Sequence, residues 1–140
     1  MYEPIRGKSV HSTVADSASD FPHRSREEEL DIQLAGHLAA LLAVTDELRA
    51  QEPSQDLDTA ADRLAEQVAR LRGGHAPVRV PATAAVPASC PGALHRRAHT
   101  LAGRALVVAA SRADTASAIL AAERMDAHRA SLEPRELASR

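Results

Sequence analysis

Hydrophobic positions along this chain fall into helical periods separated by breaks. From Ser25 onward, Leu30, Leu34, Leu38, Leu41, Thr45 and Leu48 recur every three or four residues, and Ala35 and Leu42 widen the stripe. Ser25 followed by Arg26, Glu27 and Glu28 has the form of a capping box, with carboxylates at the positive end of a helix. The pattern predicts a helix over 25–50, stopped by QEPSQ. A second stripe, Leu57, Ala61, Leu64, Val68 and Leu71, predicts a helix over 56–72 with Asp56 or Asp58 as its cap. Gly73–Gly74 after Arg70 and Arg72 is a strong stop, because glycine takes the left-handed conformation that ends helices. The short connection makes these two helices an antiparallel hairpin. A third stripe, Leu94, Ala98, Leu101, Ala105 and Val108, predicts a helix over 92–112 that starts near Pro91 or Ala93.

Beyond residue 112 the phase changes. Extended by heptads, the third stripe reaches Thr115, Ala122 and Arg129, a poor apolar face. The better set is Ala118, Ile119, Ala122, Met125 and Leu132, and Met125 lies about 100° around the helix from Val108. Asp114 can cap a new helix, with Ser111 and Thr115 as alternatives. Neither Gly nor Pro occurs in 105–125, so a continuous helix remains the competing reading. The phase jump favours a break, giving four helices at 25–50, 56–72, 92–112 and 114–132. Outside them lie a polar N-terminal segment, 1–24, expected to be disordered, and a short tail, 133–140. Between the second and third helices, HAPVRVPATAAVPASCP at 75–91 is a proline-rich linker.

Composition supports an all-α reading. The 140 residues fit one domain and include 30 Ala and 16 Arg, while the only aromatics are Tyr2 and Phe21. Without large aromatic blocks, helices must approach closely through Ala, Leu, Val and Ile, whereas sandwiches and barrels favour aromatic and β-branched residues. The expected fold is a small antiparallel bundle of three to four helices over 25–132, with disordered termini. A net charge of −2 gives no electrostatic reason to expect nucleic acid. A single cysteine, Cys90, excludes an intramolecular disulfide. No apolar run is long enough for a membrane span, and MYEPIRGKSVHSTVADSASD lacks the apolar core of a signal peptide. Those features give cytoplasmic localisation as the expectation.

Candidate chemistry is sparse. A DNA-reading hairpin over 105–125 would need polar donors on its second helix, yet TASAILAAERM offers only Arg124 near its end, with Arg112 at the turn. His95 and His99 are four apart on one helix face, a metal-ligand spacing, and His37, Glu123 or His128 can add a ligand. Against this, Arg96 and Arg97 stand between the two histidines, so the expectation is no bound metal and no cofactor. Cys90, just before Pro91, sits where a helix dipole favours thiolate, with His95 in reach as an assistant. No Gly-rich phosphate loop or hydrolase elbow occurs, and EEELD and ERMD read as solvated helix faces. A non-enzymatic protein follows.

Residues 105–125, ALVVAASRADTASAILAAERM, resemble one tetratricopeptide unit in outline. Small residues line the first helix, Ala113–Asp114 forms the turn, and small Ala118 follows four residues on. The large aromatics of that family are absent, Ala113 replaces its turn glycine, and no second copy appears near a period of 34. The resemblance implies a helical hairpin. In composition the chain also resembles short Ala/Arg-rich helical proteins of high-GC actinobacteria.

The leucine stripes supply the functional expectation. Leu30, Leu34, Leu38, Leu41 and Leu48 form one heptad-like seam, and Leu57, Leu64, Val68 and Leu71 another. A chain so poor in aromatics is thinly supplied with burial, which a second copy or a partner helix would increase. The leading expectation is a self-associating protein-interaction or regulatory module. Its alternatives are a metal- or small-ligand-binding bundle using His95 and His99, and a DNA-binding regulator.

Overall fold

The computed structural model describes residues 24–80 and 89–138, with side chains as far as Arg135. The expected N-terminal tail lies outside the described residues except for Arg24, as does the centre of the proline-rich linker. Four helices follow in order: α1 (Arg26–Gln51), α2 (Gln55–Leu71), α3 (Pro91–Arg112) and α4 (Thr115–Ala138). No strand occurs among the described residues.

Each helix start has an identifiable cause. Ser25 caps α1 through the Glu28 amide at 3.1 Å, and the Glu28 carboxylate accepts from the Ser25 amide at 3.3 Å, closing the expected box. Helix α2 is capped by Ser54, which accepts from the Leu57 amide at 3.1 Å. The expected caps Asp56 and Asp58 lie inside the first turn, where their charge meets the helix dipole. Pro91 occupies the first turn of α3, where its missing N–H costs nothing.

The chain breaks at SRAD, between α3 and α4. Ala113 takes the left-handed conformation at φ 59°, with the Asp114 amide donating to the Ala109 carbonyl at 2.9 Å and the Ala113 amide to Ala110 at 3.1 Å. This is a Schellman stop without glycine. Asp114 then caps α4 through the Ser117 amide at 3.1 Å. At its far end α4 continues to Ala138, so the expected tail at 133–140 begins too early. Pro134 sits inside the helix and removes one backbone donor, but Arg135 donates to the Ser131 carbonyl at 2.9 Å and to Glu52 at 2.6 Å, tying this last turn back to α1.

Helix α1 packs on α2 and α3, α3 packs on α4, and α2 and α4 touch little. Asp31–Arg112 joins the start of α1 to the end of α3, and Glu52–His95 joins their other ends, so α1 and α3 are antiparallel. Arg79, on the crossover between α2 and α3, grips Asp46 of α1 with two bonds, at 3.0 and 2.7 Å. The core is leucine from α1 and α2 against alanine from α3: Ala98, Ala102, Ala105 and Ala109 are fully buried. Small α3 residues let α4 come close, and the Met125 side chain lies against Gly103.

The fourth side of the bundle is held differently. Where α2 faces α4, three ion pairs span the gap: Asp56–Arg124 at 3.1 Å, Arg63–Glu123 at 3.2 Å and Arg70–Asp114 at 2.7 Å. Of the apolar set that the α4 sequence suggests, only Leu132 is buried, while Ala118 and Met125 pack at the edge of the core. Ser117, Leu120, Ala121, Arg124, His128 and Leu132 are buried, whereas Ile119 is 53% exposed and Ala118, Ala122 and Met125 are half-buried. Polar groups displaced the apolar ones because partners on α2 and α3 stood ready to receive them.

Candidate functional site

At the end of the bundle where α1 finishes and α3 begins, buried polar side chains of α3 and α4 meet more exposed carboxylates from α1 and α2. His95 of α3 and His128 of α4 are 4% and 1% exposed, with their Nδ1 atoms 2.9 Å apart and ring centroids 5.1 Å apart. His95 Nε2 lies 3.4 Å from Oε1 of Glu52, the residue that ends α1. Glu52 Oε2 accepts from Arg135 at 2.6 Å. On the other side, His128 Nε2 lies 3.5 Å from Arg124 Nη2, and Arg124 Nη1 donates to both Asp56 oxygens, at 3.2 and 3.1 Å.

One assignment of protons satisfies this chain. A guanidinium only donates, so His128 Nε2 accepts and its proton sits on Nδ1. His128 Nδ1–H then donates to His95 Nδ1, which leaves the His95 proton on Nε2, pointed at the Glu52 carboxylate. Both rings are neutral in this arrangement, and every ring nitrogen is engaged. Electrostatics agree. Burial pushes the His128 imidazole down to about 3, and the Arg124 charge and His95 push the same way. Burial also lowers His95, opposed by Glu52 and reinforced by Arg135. For Glu52, burial acts to raise the carboxyl, but hydrogen bonds from Arg135 and His95 outweigh it and hold the group below its ordinary value.

These side chains line a cavity of about 280 Å³, with Ser54, Asp56 and Leu57 of α2, and Ala127 and Ser131 of α4. Arg124 is the unusual member. It is 4% exposed, and its Nε has no hydrogen-bond partner. A buried donor left unpaired costs about 1–3 kcal/mol, so its persistence asks for an explanation.

A second polar cavity, also about 280 Å³, lies at the opposite end, where Asp31, Arg70, Arg112, Ala113, Asp114 and Thr115 surround the α3–α4 turn. Arg70 Nη2 donates to Asp114 at 2.7 Å and to Ser117 Oγ at 3.2 Å, and Arg112 donates to Asp31 at 3.0 Å. There burial tends to raise the Asp114 carboxyl, but Arg70 and the Ser117 amide outweigh it and lower it. Each arginine here closes a helix corner.

The leucines expected to form an interaction face lie inside the chain's own core. Leu34, Leu38, Leu41, Leu48, Leu57, Leu64 and Val68 are buried, and Leu30 and Leu71 are half-buried. The two stripes face each other and α3, so they satisfy one another. His95 and His99 do not act as a pair: both nitrogens of His95 go to His128 and Glu52, and His99 and His37 are half-buried elsewhere. Among the described residues, no group of three His, Cys, Asp or Glu side chains stands in a metal-holding arrangement. Cys90 is exposed at the start of α3, and His95 is turned away to its own partners. Arg124 and Arg112, the DNA-facing candidates, are committed to Asp56 and Asp31. No described helix is long and apolar enough to cross a membrane.

Glu52, Asp56 and Arg135 were absent from every expected site. The readable signal was on α4, where Ser117, Arg124 and His128 share the intervals of Ala121 and Leu132 and so occupy the core stripe. Comparison with family models, curated proteins and solved structures finds no match to this chain.

Proposed function

We propose that this chain is a non-catalytic helical bundle that binds a small polar ligand in the cavity between His95, His128 and Arg124, and that it regulates through that ligand. The observation that carries the reading is the cavity itself. Its lining brings buried polar groups of α3 and α4 together with the end of α1 and the start of α2, and its volume of about 280 Å³ suits a small molecule. Ligand pockets typically run from about 300 to 1,000 Å³, which places a nucleotide-sized ligand beyond its capacity. The fully engaged ring nitrogens of His95 and His128 support binding over catalysis, because neither imidazole has a nitrogen free to take a proton from a substrate.

The reading displaces the self-association expectation, whose motive was that the leucine seams needed a second surface. Titrating a library of small polar compounds while recording thermal stability and the imidazole resonances of His95 and His128 tests it. A true ligand raises the melting temperature and moves both sets of resonances. The proposal fails if no compound does so and the His95→Leu/His128→Leu double variant is simply more stable, because the cluster is then only a tolerated polar core.

A protein-docking module remains the second reading, favoured by β-branched residues left on the outer helix surfaces. Ile32 is 49% exposed, Val107 67% and Ile119 53%. It predicts concentration-dependent stability that disappears in the Val107→Ser/Ile119→Ser variant, measured by light scattering and denaturation over a dilution series.

A further inference from the structure

We infer that the ligand of this cavity is a small carboxylate, held by the Nε–Nη2 edge of Arg124; this rests on the ligand-binding reading above. A guanidinium recognises a carboxylate best through two parallel N–H donors. Asp56 does not use such an edge. Both its oxygens meet the single nitrogen Nη1, at 3.2 and 3.1 Å. On the adjoining edge Nε has no partner, whereas Nη2 is shared with His128 Nε2 at 3.5 Å, a contact that a bound carboxylate would replace. A residue 4% exposed, lining a cavity, therefore has one donor unused beside a second held only at long range.

The lining is of mixed charge: the carboxylates of Glu52 and Asp56 share it with Arg124, and Arg135 pairs with Glu52. Ser54, Asp56 and Leu57 place the first turn of α2 on the cavity wall, so the positive end of that helix dipole faces the ligand. Ser54 and Ser131 add hydroxyls to the lining. Asp56 itself, with its side chain 66% exposed, is an internal carboxylate resting on the same arginine at the cavity rim. It neutralises Arg124 when the cavity is empty and competes with an incoming carboxylate for the same charge. Reaching Nε, which solvent does not touch in this state, requires the Arg124 side chain to turn toward the cavity. Because the α2–α4 side is joined chiefly by ion pairs, that turn disturbs little apolar packing.

The test is calorimetric titration of the full chain with succinate, inorganic phosphate, putrescine and glycerol, following the Arg124 Nε–H resonance in parallel. The expected result is binding of succinate in preference to the cation and the neutral polyol, with a shift of the Arg124 Nε–H signal. Arg124→Lys keeps the charge but loses the fork, and should weaken succinate about tenfold or more. Asp56→Asn, at the exposed rim, removes the competitor and should tighten succinate several-fold. Succinate affinity unchanged in Arg124→Lys overturns the inference, as does a failure of Asp56→Asn to tighten it. Phosphate bound more tightly than succinate overturns the choice of carboxylate. If putrescine or glycerol alone binds and shifts His95 and His128, the carboxylate inference falls while the ligand-binding reading stands. If no small molecule binds, both fall.

Discussion

The two ends of this bundle use the same chemistry under different conditions. At the α3–α4 corner, Asp31 meets Arg112 and Asp114 meets Arg70, with the arginine side chains 36% and 48% exposed. At the histidine end, Asp56 meets Arg124 and Glu52 meets Arg135, but the Arg124 side chain is 5% exposed and two neutral imidazoles lie between the pairs. Each end balances two cations against two carboxylates. Solvent screens the corner pairs, which reduces both their cost and their contribution to roughly 0–1 kcal/mol. At the histidine end only Arg124 and the two imidazoles are desolvated, since the Glu52, Asp56 and Arg135 side chains are 41%, 66% and 37% exposed. It is therefore the charge and the unmade hydrogen bond of Arg124 that carry more weight. The burial of Arg124 and of the two imidazoles separates the site from a corner fastening, not the exposure of the carboxylates.

Acidification should produce the largest separation between the ends. His128 is neutral in the fold because burial holds it at about 3, against 6.5 when exposed. The unfolded chain therefore takes up a proton first, and stability present above pH 6.5 is lost as pH falls toward 3. The linkage slope is about 1.4 kcal/mol per unit, so His128 alone should cost roughly 2–3 kcal/mol between pH 6.5 and pH 4.5. The lowered carboxyls act in the same direction but at lower pH. Glu52 and Asp114 contribute stability above their ordinary values of 4.5 and 3.8, which is lost only as pH falls through their lower folded values. The window from 6.5 to 4.5 therefore reports on the histidine end and leaves the corner silent. Urea denaturation across that window should show the loss in the wild type and a much flatter profile in His95→Leu/His128→Leu. Equal losses in both proteins would dissolve the contrast.

Removing one arginine from each end comes next in size. Arg124→Ala strips a buried side chain, opens a void and takes Nη2 away from His128 Nε2, so a loss of about 2–3 kcal/mol is expected. Arg70→Ala removes a half-exposed arginine from Asp114, which is 10% exposed but still caps α4, and should cost about 1 kcal/mol. Denaturant midpoints of the two variants measure the difference directly. Arg124→Met sharpens it further. Methionine refills the void but leaves His128 Nε2 without its donor and Asp56 without its ion pair, so that variant should lose less stability than Arg124→Ala while losing any carboxylate binding. Retained binding in Arg124→Met would detach the arginine from the site.

The fold was legible where local chemistry and helical phase agreed. Ser25 and Glu28, Gly73–Gly74, Pro91 and the phase jump at SRAD all predict the boundaries found, because capping and periodicity act within one turn. The tail expected at 133–140 is helical to Ala138 despite Pro134, and Arg135, bonded to Glu52 83 residues away, is a tie that no local pattern shows. The leucines were readable as a seam but not as a surface, since periodicity tells which residues share a face and not what covers it. The histidine site was hidden more deeply. His95 and His128 lie 33 residues apart on different helices, and Glu52 sits in a stretch whose composition says only that a helix ends. Arg124 enters the sequence reading only as a donor for DNA, since arginine usually lies at the surface. Its shared period with Ala121 and Leu132 was the one mark of burial.

The smallest expected effect concerns how the corner end is turned. Two Schellman stops close the helices there, one at Gly73 with φ 70° and one at Ala113 with φ 59°. The first uses the residue that enters the left-handed region without a steric penalty, whereas an alanine there costs roughly 1–2 kcal/mol. The Ala113 turn is nevertheless kept, because Asp114 caps the next helix and Arg70 binds Asp114 from α2, so the geometry is fixed from both sides. Ala113→Gly should remove the strain but also loosen the unfolded chain by about 0.5–1 kcal/mol, for a net gain near 0.5 kcal/mol. Gly73→Ala imports the strain and should lose about 1 kcal/mol, since open space around the new methyl leaves backbone conformation as the whole effect. Thermal denaturation of both variants, at a pH above 6.5 where the histidine end does not titrate, isolates the turn. A stability loss in Ala113→Gly would mean that the Ala113 methyl, not the Asp114–Arg70 fastening, holds this corner.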